Sequence, residues 1–117
     1  MTERLPVFVF GTLRRGHENH GILAGRFEKV LPATLRGYAR VPSSHGYPLI
    51  DTREGQSVEG ELYFLSEQNR DETMIALDDL EGLSPGELVG EWYERLQVSV
   101  TTDVGDYLAW VYVKPTG

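Results

Sequence analysis

The sequence predicts an α+β protein, a small β-barrel of about six strands with one main flanking helix. Three observations carry that expectation. Six segments have strand character, by alternation or as short apolar runs. Only one segment has a helical period with start and stop signals. A single helix cannot cover both faces of a wide open sheet, whereas a sheet that closes on itself removes its own edges.

The elements follow in chain order. Residues 5–10, "LPVFVF", form an apolar, aromatic-rich strand that stops abruptly at Gly11. Asn19 is suited to cap a short turn through "HGILAG". "TLRGYARV" (34–41) and "YPLI" (47–50) read as short strands, with Pro42 and Pro48 marking breaks or edges. "SVEGELYFL" (57–65) alternates, Val58, Leu62 and Phe64 facing one way and Glu59, Glu61 and Tyr63 the other. "NRDETMIALDDLEG" (69–82) is the helix. Asn69 can cap it, Asp71 and Glu72 suit its positive first turn, and Gly82 suits its C-terminal cap. Met74, Leu77 and Leu80, with Ile75, make a narrow apolar stripe. The next stretch, "LSPGELVGEWYER", has Gly and Pro but no period and reads as a loop. "WYERLQVSVTT" (92–102) alternates through Leu96, Val98 and Val100, and "YLAWVYV" (107–113) is apolar on both faces.

The chain of 117 residues is expected to form one domain, 1–117, without internal repeats or linkers. A composition 40% hydrophobic and 25% charged argues against disorder. No apolar run approaches the ~20 residues that span a bilayer. "MTERLP" has none of the features of a secretory signal. The absence of cysteine removes disulfides, thiol catalysis and cysteine-held zinc. A cytoplasmic location is expected. The net charge of −7, with no basic cluster longer than Arg14-Arg15, disfavours nucleic acid and anionic membranes as partners. A small molecule is the expected ligand.

Several familiar motifs fail. "GTLRRGHE" has P-loop glycine spacing at Gly11 and Gly16, but His17-Glu18 stand where Lys and Ser/Thr are required. His17 and His20 are three apart, not the four of a metalloprotease helix, so no metal site is expected. Ser43-Ser44-His45 lacks a nucleophile elbow. Against these failures stands one local rule broken. Asp78, Asp79 and Glu81 crowd the negative end of the helix dipole, where each acid costs about 0.3–1 kcal/mol. A helix-end acid beside a loop is a candidate catalytic group.

Taken in order, "VFVFGTLRRG", "YPLI", "VEGELYFL", "LDDLEG", "WYERLQVSV" and "AWVYV" resemble the γ-glutamylcyclotransferase-like family, most closely its γ-glutamylamine cyclotransferase branch. The resemblance runs from Val7 to Val113. It implies a small mixed β-barrel with flanking helices. It also implies release of an amine or amino acid from a γ-glutamyl compound, leaving 5-oxoproline, with no cofactor. Glu81 matches the family's catalytic glutamate. The turn Phe10-Gly11-Thr12-Leu13 would hold the glutamyl group through main-chain atoms. Tyr93 and Arg95 match the family's Tyr-x-Arg, with Arg95 suited to a carboxylate of substrate or protein. Tyr47 is placed either to line the pocket or to pack a strand edge. Phe10 stands where the family usually has tyrosine, losing a hydroxyl.

The chemistry suits these residues. The substrate's own α-amine attacks its γ-carbonyl, so the protein needs no nucleophile. It must fold the substrate to an attack distance of ~3–3.5 Å and move protons with a carboxylate of raised pKa. Backbone N–H groups at Gly11 suit either the carbonyl oxygen or the α-carboxylate. The rival expectation is a non-catalytic module that binds a small carboxylate or amine in the same pocket; Phe10 gives it its weight.

Overall fold

The computed structural model describes residues 5–10, 25–41, 49–80, 83, 88–90 and 93–114. In chain order they form β1 (Val7–Val9), β2 (Phe27–Val41), β3 (Leu49–Leu65), a 3-10 turn (Glu67–Asn69), α1 (Arg70–Leu80), β4 (Glu94–Thr102) and β5 (Gly105–Val113). The strands close into a barrel in the order β1-β3-β2-β4-β5. All neighbours are antiparallel except β1 and β5, which run parallel with Val7 opposite Trp110. The barrel is therefore mixed, as the resemblance implies.

Alternation sorts the side chains into two cores. Phe8, Phe10, Leu35, Ile50, Val58, Leu62, Val100, Val111 and Val113 fill the barrel. Val7, Val9, Tyr63, Leu65, Tyr93 and Tyr112 face outward onto Leu77 of α1 and Leu83. Strands buried on both faces explain why β1 and β5 read as unbroken apolar runs. Gly60 is where β1 crosses β3: a Cβ there would meet the Val9 carbonyl oxygen and the Phe8 ring.

Five strands are described where six are expected, because residues 49–50 of the segment 47–50 and the segment 57–65 belong to one strand, β3. Their apparent separation is real locally. The ladder steps from Thr52 opposite Tyr38 to Ser57 opposite Arg36, leaving 53–56 exposed, and Gly55 takes φ +81°. On β2 the matching irregularity falls at Gly37, φ +84°. It resets the alternation, so that Ala33 and Leu35 point into the barrel before it and Tyr38 packs on the interior after it. β2 also begins earlier than expected, running through Pro32, which lies opposite Glu61. Its ends and those of β3, at Val41 and Leu49, coincide with the prolines that mark breaks in the sequence.

The helix also differs from expectation. Asn69 closes a 3-10 turn and α1 starts at Arg70; Ser66 caps that turn without a side-chain bond. Ile75, expected on the buried stripe, is 56% exposed, and Thr73 is buried instead with Leu77. Positions 73 and 77 share a face one helical turn apart, and 75 lies across from it. Asn19 and Gly82 lie outside the described residues. Among the described residues no helix is long and apolar enough to cross a membrane.

Candidate functional site

One end of the barrel gathers the chain ends that lead into every expected site segment. Arg40 Nη2, near the end of β2, donates to the Phe10 carbonyl at 2.7 Å, just past the end of β1. The Lys114 N–H, just past β5, donates to the Ile50 carbonyl at the start of β3, 2.8 Å. Glu94 opens β4 opposite Val113, and Val41 ends β2 opposite Leu49. Phe10 thus precedes Gly11-Thr12-Leu13, Val41 and Leu49 flank the segment holding Tyr47, and Tyr93 closes the loop that follows Glu81. Gly11, Thr12, Leu13, Tyr47 and Glu81 themselves lie outside the described residues.

The helix reaches the same end. Arg70, its first residue, donates to the Leu5 carbonyl at 3.0 Å, at the far end of the barrel. Eleven residues at 1.5 Å rise carry the chain about 16 Å up the barrel wall. There Asp78 is buried and accepts a hydrogen bond from the Tyr112 hydroxyl at 2.7 Å. Its Oδ1 stands 3.4 Å from Arg95 Nε, a charge contact in which that N–H is not aimed at the oxygen. The Arg95 guanidinium lies 4.4 Å over the Trp110 ring. The Leu83 N–H donates to the Asp78 carbonyl, five residues back, at 2.8 Å. Both sides of Glu81 in the sequence are therefore pinned to the barrel.

The described site residues do not share one face. The Phe10 ring packs inside the barrel, stacked on Phe8 at 6.4 Å between centroids. Tyr93 packs outside it, under the helix, with Tyr112 and Leu83. Arg95 lies on that outer side too, facing a protein carboxylate. Sequence reading missed Asp78 as a buried group. Its signal was present only as one of three misplaced acids, and burial separates it from exposed Asp79. It also missed Arg40. A cleft of about 230 Å³ flanks the helix, lined by Glu72, Ile75, Ala76, Asp78, Asp79 and Leu83.

Between the strands at this end lies Tyr38, whose phenol is pushed above its ordinary pKa by burial, then by the neighbouring charges of Asp51 and Glu94. Among the described residues no group of His, Asp and Glu could hold a metal ion.

A closed mixed barrel with a helix laid up one wall is the fold of an AIG2-like protein from Mus musculus. The two superpose with a TM-score of 0.70 at 24% identity, over 99% of this chain and 80% of that one. The chain belongs to the family described as gamma-glutamyl cyclotransferase, AIG2-like, whose model matches residues 7–117. It is 34% identical over 108 residues to the gamma-L-glutamyl-butirosin B gamma-glutamyl cyclotransferase of Niallia circulans, covering 92% of this chain and 65% of that protein. YkqA from Bacillus subtilis superposes with a TM-score of 0.69 at 25% identity, over 96% of this chain and 36% of YkqA. The chain thus spans under two thirds of the length of both these relatives.

Proposed function

We propose that this chain is a γ-glutamyl cyclotransferase that acts on γ-glutamyl amines, with Glu81 as general acid and base. The observation that carries this reading is the family match over residues 7–117, which contains every residue named for the site. The Niallia circulans relative, named for a γ-glutamyl compound, points the same way. The fold supplies physical support. Thr73, Leu77 and Asp78 are buried against the barrel, and the Asp78 bonds hold the helix end that leads into position 81.

In this reading the α-nitrogen of the glutamyl group attacks the γ-carbonyl carbon. The new C–N bond closes a five-membered ring, and the C–N bond to the leaving amine breaks. Glu81 takes protons shed by the α-nitrogen and hands them to the leaving nitrogen. A carboxylate serves this role best when its pKa lies near the working pH. The N–H groups of Gly11 to Leu13 hold the glutamyl group, Tyr47 lines the pocket, and Tyr93 and Arg95 form its wall beside Asp78.

The test is 5-oxoproline release, read by mass spectrometry from γ-glutamyl-ε-lysine, γ-glutamyl alkylamines, γ-glutamyl amino acids and glutathione. Wild type is expected to release it, and Glu81→Gln to lose about 10²–10⁴-fold in rate at unchanged Tm. Saturable binding of these compounds with no release would identify the binding module instead.

A further inference from the structure

We propose that Arg40 anchors the α-carboxylate of the γ-glutamyl group, an inference that rests on the cyclotransferase reading. Arg40 stands at the barrel end where the loop anchors meet. Its Nη2 is bonded to the Phe10 carbonyl, and its guanidinium carbon lies 5.5 Å over the Phe10 ring. Phe10 is the residue before the Gly11 turn. The side chain is exposed, and among the described residues only the Phe10 carbonyl engages the fork.

The charge pattern is unusual for this molecule. The chain carries 18 acidic residues against 11 basic ones, yet among the described residues no carboxylate pairs with Arg40. Arg95, by contrast, faces Asp78. A guanidinium has five N–H donors in one plane, and the Phe10 carbonyl engages Nη2 while leaving others. That bond and the ring beneath fix the plane. A fixed, partly open fork suits the two oxygens of a carboxylate.

Every γ-glutamyl compound carries an α-carboxylate, whatever amine leaves. An anchor for it would serve the whole substrate class. It would also divide the work at the turn: Arg40 takes the carboxylate, and the N–H groups at Gly11 are left for the carbonyl oxygen, where negative charge develops.

The experiment pairs each γ-glutamyl amide with the matching 4-aminobutanoyl amide, which keeps the amine and the carbonyl but lacks the carboxylate. Wild type should prefer the γ-glutamyl amide by about 10- to 100-fold in kcat/KM, mainly through KM. Arg40→Gln should erase that preference, and Arg40→Lys should restore part of it. An equal loss on both substrates would leave Arg40 as a positioning residue for the turn and overturn the anchor, as would a preference that survives Arg40→Gln. Calorimetric binding of 5-oxoproline and 2-pyrrolidone, the same ring with and without the carboxylate, separates this from failure of the enzymatic reading. Tighter 5-oxoproline binding in wild type alone supports the anchor even without turnover. Equal binding of the two rings to wild type overturns it.

Discussion

At the end of the barrel that holds the β4–β5 turn, the chain closes with its own backbone. Thr102 lies opposite both Gly105 on β5 and Ala33 on β2, and its hydroxyl donates to the Gly105 carbonyl at 2.7 Å. At the opposite end, the β2–β4 ladder has stopped. Only Ala33–Thr102 and Thr34–Thr101 are paired, although β2 runs on to Val41 and β4 reaches back to Glu94. Side chains take over there: Arg40 on the Phe10 carbonyl, Asp78 beneath Tyr112 and Arg95. A closure made of ladder bonds leaves no polar group to spare. A closure made of side chains leaves a fork, a phenol and carboxylates facing the space between strands, where a ligand can compete for them.

If that contrast is right, the largest disturbance comes from Asp78→Ala. It leaves Arg95 without its carboxylate and Tyr112 without its acceptor, and should cost about 3 kcal/mol in denaturant unfolding. Its turnover should fall even where the variant is fully folded, because Asp78 holds the helix end beside Glu81. Gly60→Ala comes next. The added methyl meets the Val9 carbonyl oxygen, which is backbone and cannot swing aside, so a loss of about 1–3 kcal/mol is expected, with turnover reduced as β1 shifts. At the other end, Thr102→Val should lower stability by about 0.5–1 kcal/mol and leave turnover unchanged. Equal turnover losses for Asp78→Ala and Thr102→Val would break the contrast.

The smallest effect is one of pH. The Tyr38 phenol holds its proton more tightly in the folded chain, by burial and the charges of Asp51 and Glu94. The stabilisation this gives is present below the ordinary tyrosine range near pH 10 and is lost as pH rises through the folded value. Melting curves between about pH 9 and pH 11 should show a shallower alkaline loss for Tyr38→Phe than for wild type.

What the sequence revealed followed the range of its forces. β4 was legible because alternation repeats every second residue, and β5 because it is an unbroken apolar run. β3 was split because 53–56 are polar and exposed, and a single sequence shows no partner strand continuing past them. The first half of β2 was hidden by Pro32, a residue that breaks most ladders. Ile75 was misassigned because a stripe drawn from apolarity alone overlooks a buried Thr73. The resemblance pointed to Phe10, Tyr93 and Arg95. Arg40 was invisible, since its partner lies thirty positions away and a lone arginine on a strand carries no local pattern.

The parallel pairing of Val7 with Trp110 has a consequence for how the chain acquires its shape. β1 is made before the other described strands, but one of its two neighbours is β5, the last of them in chain order. Hairpins β2–β3 and β4–β5 join neighbours in sequence and can form as they emerge; β1 must wait. Its contacts span nearly the whole chain and raise the entropic cost of the closing step. Until then the apolar run 7–10 can pair with β3 on one edge only, and its other edge stays open. During synthesis it is the segment most in need of shelter from other chains, and the docking of β5 ends that exposure.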